Sequence, residues 1–319
     1  MAAKQKIIVI VGPTAVGKTD LSINLAKKFQ GEIISGDSMQ VYKNLNIGTA
    51  KVTKEEQQGI PHFLLDEIEM TDRYSAGDFQ TSARKHIKEI GNRGHLPIIV
   101  GGTGLYIQAL LFDFTLGGRE DNTIEKQAIR RQWEEISETK GKTFVWEHLR
   151  QIDPAAADTI HPNNLRRVIR GIEIMETTGK SITEQQGDIT DLSASLYDVK
   201  LIGLTTDREL LYERINHRVD LMMKEGLEDE ARMVFETPDA QSAQGIGYKE
   251  FFPYFSGEMS LEEAVTQVKQ NSRRYAKRQL TWFRNRMNVS WWDLVQRPEK
   301  ISELEEELAK WLEQKEEEG

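Results

Sequence analysis

The run Gly12, Pro13, Thr14, Ala15, Val16, Gly17, Lys18, Thr19 fits Gly-x4-Gly-Lys-[Ser/Thr] in full. Such a loop wraps a phosphate in successive backbone N–H groups, and the helix that follows adds the positive end of its dipole. Lys18 supplies a point charge, and the Thr19 hydroxyl is a candidate ligand for Mg²⁺. Asp37, followed by Ser38, Met39 and Gln40, offers a carboxylate either for taking a proton or for capping the next turn. Thr103 stands in the run Gly101-Gly102-Thr103-Gly104, where its hydroxyl can meet a ligand or cap a helix. That run has no Asp of the kind a Walker B strand supplies, so the cradle is open to a nucleotide or to another diphosphate.

These residues need a scaffold. Residues 7–11 are a continuous β-branched run, as in a strand buried on both faces, and residues 19–29 follow with helical spacing. Residues 32–35 and 97–100 read as further buried strands, with helices over 79–93 and 105–111. Strands alternating with helices imply an α/β fold with a parallel sheet. After residue 117 only helical patterns occur, including 143–151 and 164–177, until an apolar strand returns at 199–204. The expected organisation is a discontinuous core of residues 1–116 and 198–319 with an all-helical insertion at 117–197. Helices are expected over 208–224, closed by Gly226, and from the capping box Ser260/Glu263 to about residue 287. A charged helix with an apolar stripe is expected over 299–315.

Composition narrows the chemistry. There is no Cys, which excludes disulfides and thiolate metal sites, and the six His residues lack metal-binding spacing. No apolar run reaches a membrane span and no apolar leader precedes the first strand, so a cytoplasmic protein with no membrane partner is expected. The net charge of −9 is uneven: residues 299–319 carry −6 of it. Between residues 264 and 292 there is no acid, but there are Lys269, Arg273, Arg274, Lys277, Arg278, Arg284 and Arg286. A local basic face is what a nucleic-acid backbone responds to. Trp282 and Phe283 on that segment are read as core packing rather than base stacking.

Several blocks together resemble the tRNA dimethylallyltransferases. They are the phosphate loop, residues 36–42, residues 46–51, Gly101–Tyr106 as a run, residues 166–173 with 178–180, residues 245–248, and residues 273–284. They occur in the family's order, and the lack of Cys in the acidic C-terminal segment resembles the bacterial form. The resemblance implies a P-loop kinase-like core with a helical insertion. It also implies transfer of a dimethylallyl group from dimethylallyl diphosphate to N6 of the adenine at tRNA position 37. Asp37 then matches the general base, Thr103 a threonine between the two substrates, and Arg218 an arginine on the diphosphate. Gly12, Thr14, Ala15, Val16, Gly17, Lys18 and Thr19 match the diphosphate cradle, with Mg²⁺ as helper. Asp37, Ser38, Met39 and Gln40 match the base-contacting loop. Arg166, Arg167, Val168, Ile169 and Arg170 match an RNA-contacting segment, as do Gln244, Gly245, Ile246, Gly247, Tyr248 and Lys249. Arg273, Lys277 and Arg278 are the expected contacts to the anticodon stem-loop backbone, and a monomer is expected. The rival readings are a small-molecule kinase using ATP and a non-catalytic RNA-binding protein with a structural nucleotide.

Overall fold

The structure is a computed structural model that describes residues 4–112, 124–183 and 191–314. The change of texture expected after residue 117 lies outside the described residues, as does the acidic run 316–318. By compactness the chain divides into one unit of residues 1–74, 79–113 and 190–319, and another of 75–78 and 114–189.

The first unit is built on six strands: β1 (Lys6–Val11), β2 (Gly31–Ser35), β3 (His62–Phe63), β4 (Leu96–Gly101), β5 (Asp198–Leu204) and β6 (Ser290–Trp292). They form one sheet in the order β3-β2-β4-β1-β5-β6. Every pairing is parallel, with Ile8 opposite Ile98 on one side and Lys200 on the other. In chain order the helices are α1 (Lys18–Lys28), α2 (Lys54–Gln57), α3 (Ala76–Asn92) and α4 (Gly104–Leu111). Then come α5 (Ile124–Lys140), α6 (Lys142–Ile152), α7 (Pro154–Thr159) and α8 (Leu165–Thr178), followed by α9 (Arg208–Glu225) and α10 (Leu227–Phe235). The series ends with α11 (Phe252–Phe255), α12 (Leu261–Arg286) and α13 (Lys300–Glu313).

The sheet's burial explains its sequence. Ile7, Ile8, Val9, Ile10 and Val11 are fully buried, as the unbroken apolar run requires of a central parallel strand. Leu21, Leu25 and Ala26 of α1 join Ile10, Ile33 and Leu204 in one core, which also takes Leu304, Leu308 and Trp311 of α13. Lys6 donates to the Trp311 and Gln314 carbonyls at 2.7 and 2.6 Å, tying the end of α13 to the start of β1. The capping box at α12 is formed: the Glu263 amide donates to Ser260 Oγ at 3.2 Å, and the Ser260 amide to Glu263 Oε2 at 2.9 Å. Gly226 ends α9 at φ 103°, a left-handed conformation that suits glycine.

The second unit's described helices enclose a core of Trp133, Val145, Leu149, Ala156, Ile160, Val168 and Ile172. Glu173 is fully buried there and is held by Arg130 and Arg170. Asp153 caps α7 through the Ala156 amide at 3.0 Å and accepts from Ser181 Oγ. No described helix is long and apolar enough to cross a membrane.

Candidate active site

Three loops leave the C-terminal ends of the neighbouring strands β2, β4 and β1, where parallel α/β sheets place their sites. They border one cavity of about 890 Å³. Its wall includes Thr14, Ala15, Val16, Gly17, Lys18 and Thr19 of the phosphate loop and Asp37, Ser38, Met39 and Gln40 beyond β2. Arg218 of α9, Arg278 of α12 and the whole run from Gln244 to Lys249 line it as well.

Gly12 opens the phosphate loop at φ 148°, and a Cβ there would stand 2.6 Å from the Leu204 carbonyl oxygen of β5. Gly17 begins α1 at φ 95°, and no side chain caps that end of the helix. The unfilled helix N-terminus is the natural anion seat. Lys18 donates to the Gly12 and Pro13 carbonyls at 3.0 and 2.7 Å, so its ammonium is folded back over the loop. Burial lowers its pKa to about 8, with repulsion from Arg218 adding to the shift and Asp37 opposing it. Arg218 donates to Thr14 Oγ1 at 3.0 Å, and burial followed by repulsion from Arg214 lowers its pKa as well. Three cations held close to this loop can attract a polyanion.

Asp37 takes the capping role the sequence allowed and is placed for the other. Its Oδ1 accepts the Met39 amide at 2.8 Å, which caps the turn. Burial raises its carboxyl above the ordinary range, against the pull of the Met39 amide and of Lys18. A carboxylate made more basic in this way, beside a cationic loop, can take a proton from a weak nucleophile. Thr103 stands at the N-cap of α4, but its side chain makes no capping bond. Its Oγ1 accepts the Ser38 amide at 3.3 Å and lies 3.5 Å from Ser38 Oγ, so it binds the β4 loop to the β2 loop.

The remaining expected residues divide. Tyr248 is fully buried, with its hydroxyl on Glu230 at 2.8 Å. Arg273 donates to Asn216 at 2.5 Å and lies over the Tyr212 ring, so its guanidinium is engaged with α9. Lys269, on the same helix face, pairs with Asp220 of α9 at 2.6 Å. Lys277 and Arg278 are exposed, and Arg278 also reaches the cavity wall. In the second unit Val168 and Ile169 belong to the core, Arg166 is exposed, and Arg170 is paired with Glu173. Phe283 is fully buried, and Trp282 packs where a side chain on Gly104 would otherwise stand, as core packing requires.

Sequence reasoning missed four participants. Arg214 donates to the Ala15 carbonyl at 2.8 Å; its place one helical turn before Arg218 was a usable signal. Tyr275 and Gln279 of α12 line the cavity among basic neighbours that masked them. Burial pushes the Tyr275 hydroxyl to about 12, with Asp37 adding to the rise. Glu230, which holds the 46–48 turn, gave no local signal at all.

A phosphate loop on a parallel sheet, sharing one cavity with a strand-end carboxylate, defines an α/β enzyme of the P-loop class. The IPP transferase family matches residues 40–286. A protein of Enterococcus faecalis named tRNA dimethylallyltransferase is 61% identical over 98% of this chain and 100% of its own length. A protein of that name from Ligilactobacillus salivarius is 52% identical over 97% of this chain and 99% of its own. Among solved structures, the tRNA isopentenylpyrophosphate transferase of Bacillus halodurans is 48% identical with a TM-score of 0.72, covering 97% of each chain. A eukaryotic dimethylallyltransferase acting on tRNA is 30% identical with a TM-score of 0.78, covering 98% of this chain and 81% of that one. The chain belongs to the IPP transferase family.

Proposed function

We propose that this chain transfers a dimethylallyl group from dimethylallyl diphosphate to N6 of the adenine at tRNA position 37, releasing diphosphate. The observation that carries this reading is the single cavity shared by Lys18, Arg218 and Asp37. In the reaction the N6–C1 bond forms as the allylic C1–O bond breaks, and the electron pair leaves with the diphosphate. Lys18, Arg218 and the loop from Gly12 to Thr19 hold that leaving group, and their attraction grows as its charge develops. Asp37 takes the N6 proton as the new bond forms, and its raised basicity favours that transfer.

The adenine reaches Asp37 by leaving the anticodon stack, as enzymes acting on bases require. Ser38, Met39 and Gln40 form one wall of its pocket and residues 244–249 another. Thr103 holds Ser38 in that wall. Arg278 and Lys277 serve the RNA backbone, and in the second unit Arg166 and Arg167 do so, with Arg170, paired to Glu173, and the core residues Val168 and Ile169 supporting them. Mg²⁺ fits these residues. Among the described residues no cluster of three acidic or His side chains could hold a metal. A hard cation bound chiefly by diphosphate oxygens and water needs only one such protein ligand as the Thr19 hydroxyl. When bound, it would neutralise charge on the diphosphate. The enzyme acts as a monomer in the cytoplasm.

Unmodified tRNA, Mg²⁺ and labelled dimethylallyl diphosphate test the reading. Label is expected on the tRNA, and ATP is not expected to substitute for the donor. ATP turnover with unlabelled tRNA would favour the kinase.

A further inference from the structure

Glu230 of α10 lies outside the reacting groups and is only 9% exposed. Four donors converge on it. The Asn46 and Ile47 amides reach Oε2 at 2.8 and 2.9 Å, and the Gly48 amide and Tyr248 hydroxyl reach Oε1 at 2.9 and 2.8 Å. Three successive amides facing one carboxylate make an anion-binding nest, filled here by the protein itself. The fit around it has no slack. A Cβ on Gly48 would stand 2.7 Å from the buried Tyr248 ring, and one on Gly245 would stand 2.7 Å from Met39 Cε.

The clasp connects to the carboxylate that would do the chemistry. Just past the nest, the Thr49 and Ala50 carbonyls accept from Gln40 Nε2 at 3.2 and 3.3 Å. Gln40 Oε1 accepts from Ser35 Oγ at 2.9 Å, and Ser35 Oγ accepts the Asp37 amide at 3.4 Å. Hydrogen bonds and short backbone links thus run from Glu230 to the backbone of Asp37.

We infer that Glu230, with Tyr248, is a positioning residue that locks the 37–50 loop against the 244–249 segment. It thereby sets both the wall that receives the RNA base and the reach of Asp37. This rests on the transfer reaction proposed above. Glu230 takes its donors from the 46–48 turn and Tyr248 and none from the phosphate loop, so its effect belongs to the RNA side of the cavity.

The test uses the full chain with Glu230→Gln and Tyr248→Phe, measuring kcat and the KM of each substrate together with the melting temperature. Glu230→Gln turns one acceptor oxygen into a donor facing other donors. It should lower kcat/KM for tRNA by about tenfold or more, through a higher KM and a lower kcat, while the KM for dimethylallyl diphosphate stays within about twofold. Tyr248→Phe removes one of the four bonds and should move the same parameters less. If Glu230→Gln fails to fold, Tyr248→Phe decides. Unchanged tRNA parameters, or both KM values rising in step with a fall in melting temperature, would overturn the inference. If the unmutated chain transfers nothing, the reaction itself fails first and this inference falls with it.

Discussion

Lys18 illustrates how one residue's environment becomes a kinetic signature. Its pKa of about 8 means that the free enzyme loses the ammonium within a mildly alkaline range. In the proposed reaction the cationic form holds the diphosphate, so kcat/KM for dimethylallyl diphosphate should fall as pH rises through about 8. Bound diphosphate stabilises the ammonium, so the same limb in kcat should lie higher. Lys18→Arg should remove the limb near 8, because an arginine stays charged there. A pH profile with the limb unmoved in Lys18→Arg would assign it to another group. Much of the candidate site was legible in the chain, because Gly12, Gly17, Lys18 and Thr19 are brought together by local spacing. Asp37 was legible because it stands two residues past the end of a buried strand. Glu230 was not, because the three amides it holds lie more than 180 residues away in the chain.

The elements show where patterning succeeds and where it stops. Long periodic segments such as α9 and α12 were readable, with the Ser260 box and Gly226 marking their ends. The strand β3 has two residues and β6 has three, too short to show an alternation. The basic stripe of α12 was read as an RNA face, but Lys269 and Arg273 turn toward Asp220 and Asn216 of α9. Arg273→Ala should therefore disturb the packing of α9, which carries Arg218, and weaken diphosphate binding along with tRNA binding. Arg278→Ala should weaken tRNA binding alone and reduce the slope of log affinity against log salt by about one. Titrations of each variant with both substrates over a salt series separate the two. Equal effects of the two variants on both substrates would contradict this division. Glycine placement gives a further expectation. Gly48→Ala meets the buried Tyr248 ring at 2.7 Å, an overpacking that should cost about 1–3 kcal/mol in a denaturant melt. A neutral result would mean that the ring has room to move.

Over the whole molecule the charge is −9, yet the residues that border the cavity include Lys18, Arg214, Arg218 and Arg278. Net charge and site charge thus point to different partners, and the local arrangement governs binding. Dimethylallyl diphosphate with Mg²⁺ should raise the melting temperature. At a hundredfold excess over Kd the gain is about 2.7 kcal/mol, and Lys18→Met should abolish it. A shift that persists in Lys18→Met would place the donor elsewhere. The central claim is that the cradle presents the donor while Asp37 draws the proton from the base. Nucleoside analysis of tRNA after a single turnover, comparing the unmutated chain with Asp37→Ala and measuring tRNA affinity alongside, tests it most directly. One dimethylallyl group on N6 of adenosine 37 is expected with the unmutated chain, and almost none with Asp37→Ala despite near-normal tRNA affinity. Transfer that survives in Asp37→Ala, or a loss of rate matched by an equal loss of tRNA affinity, would contradict it.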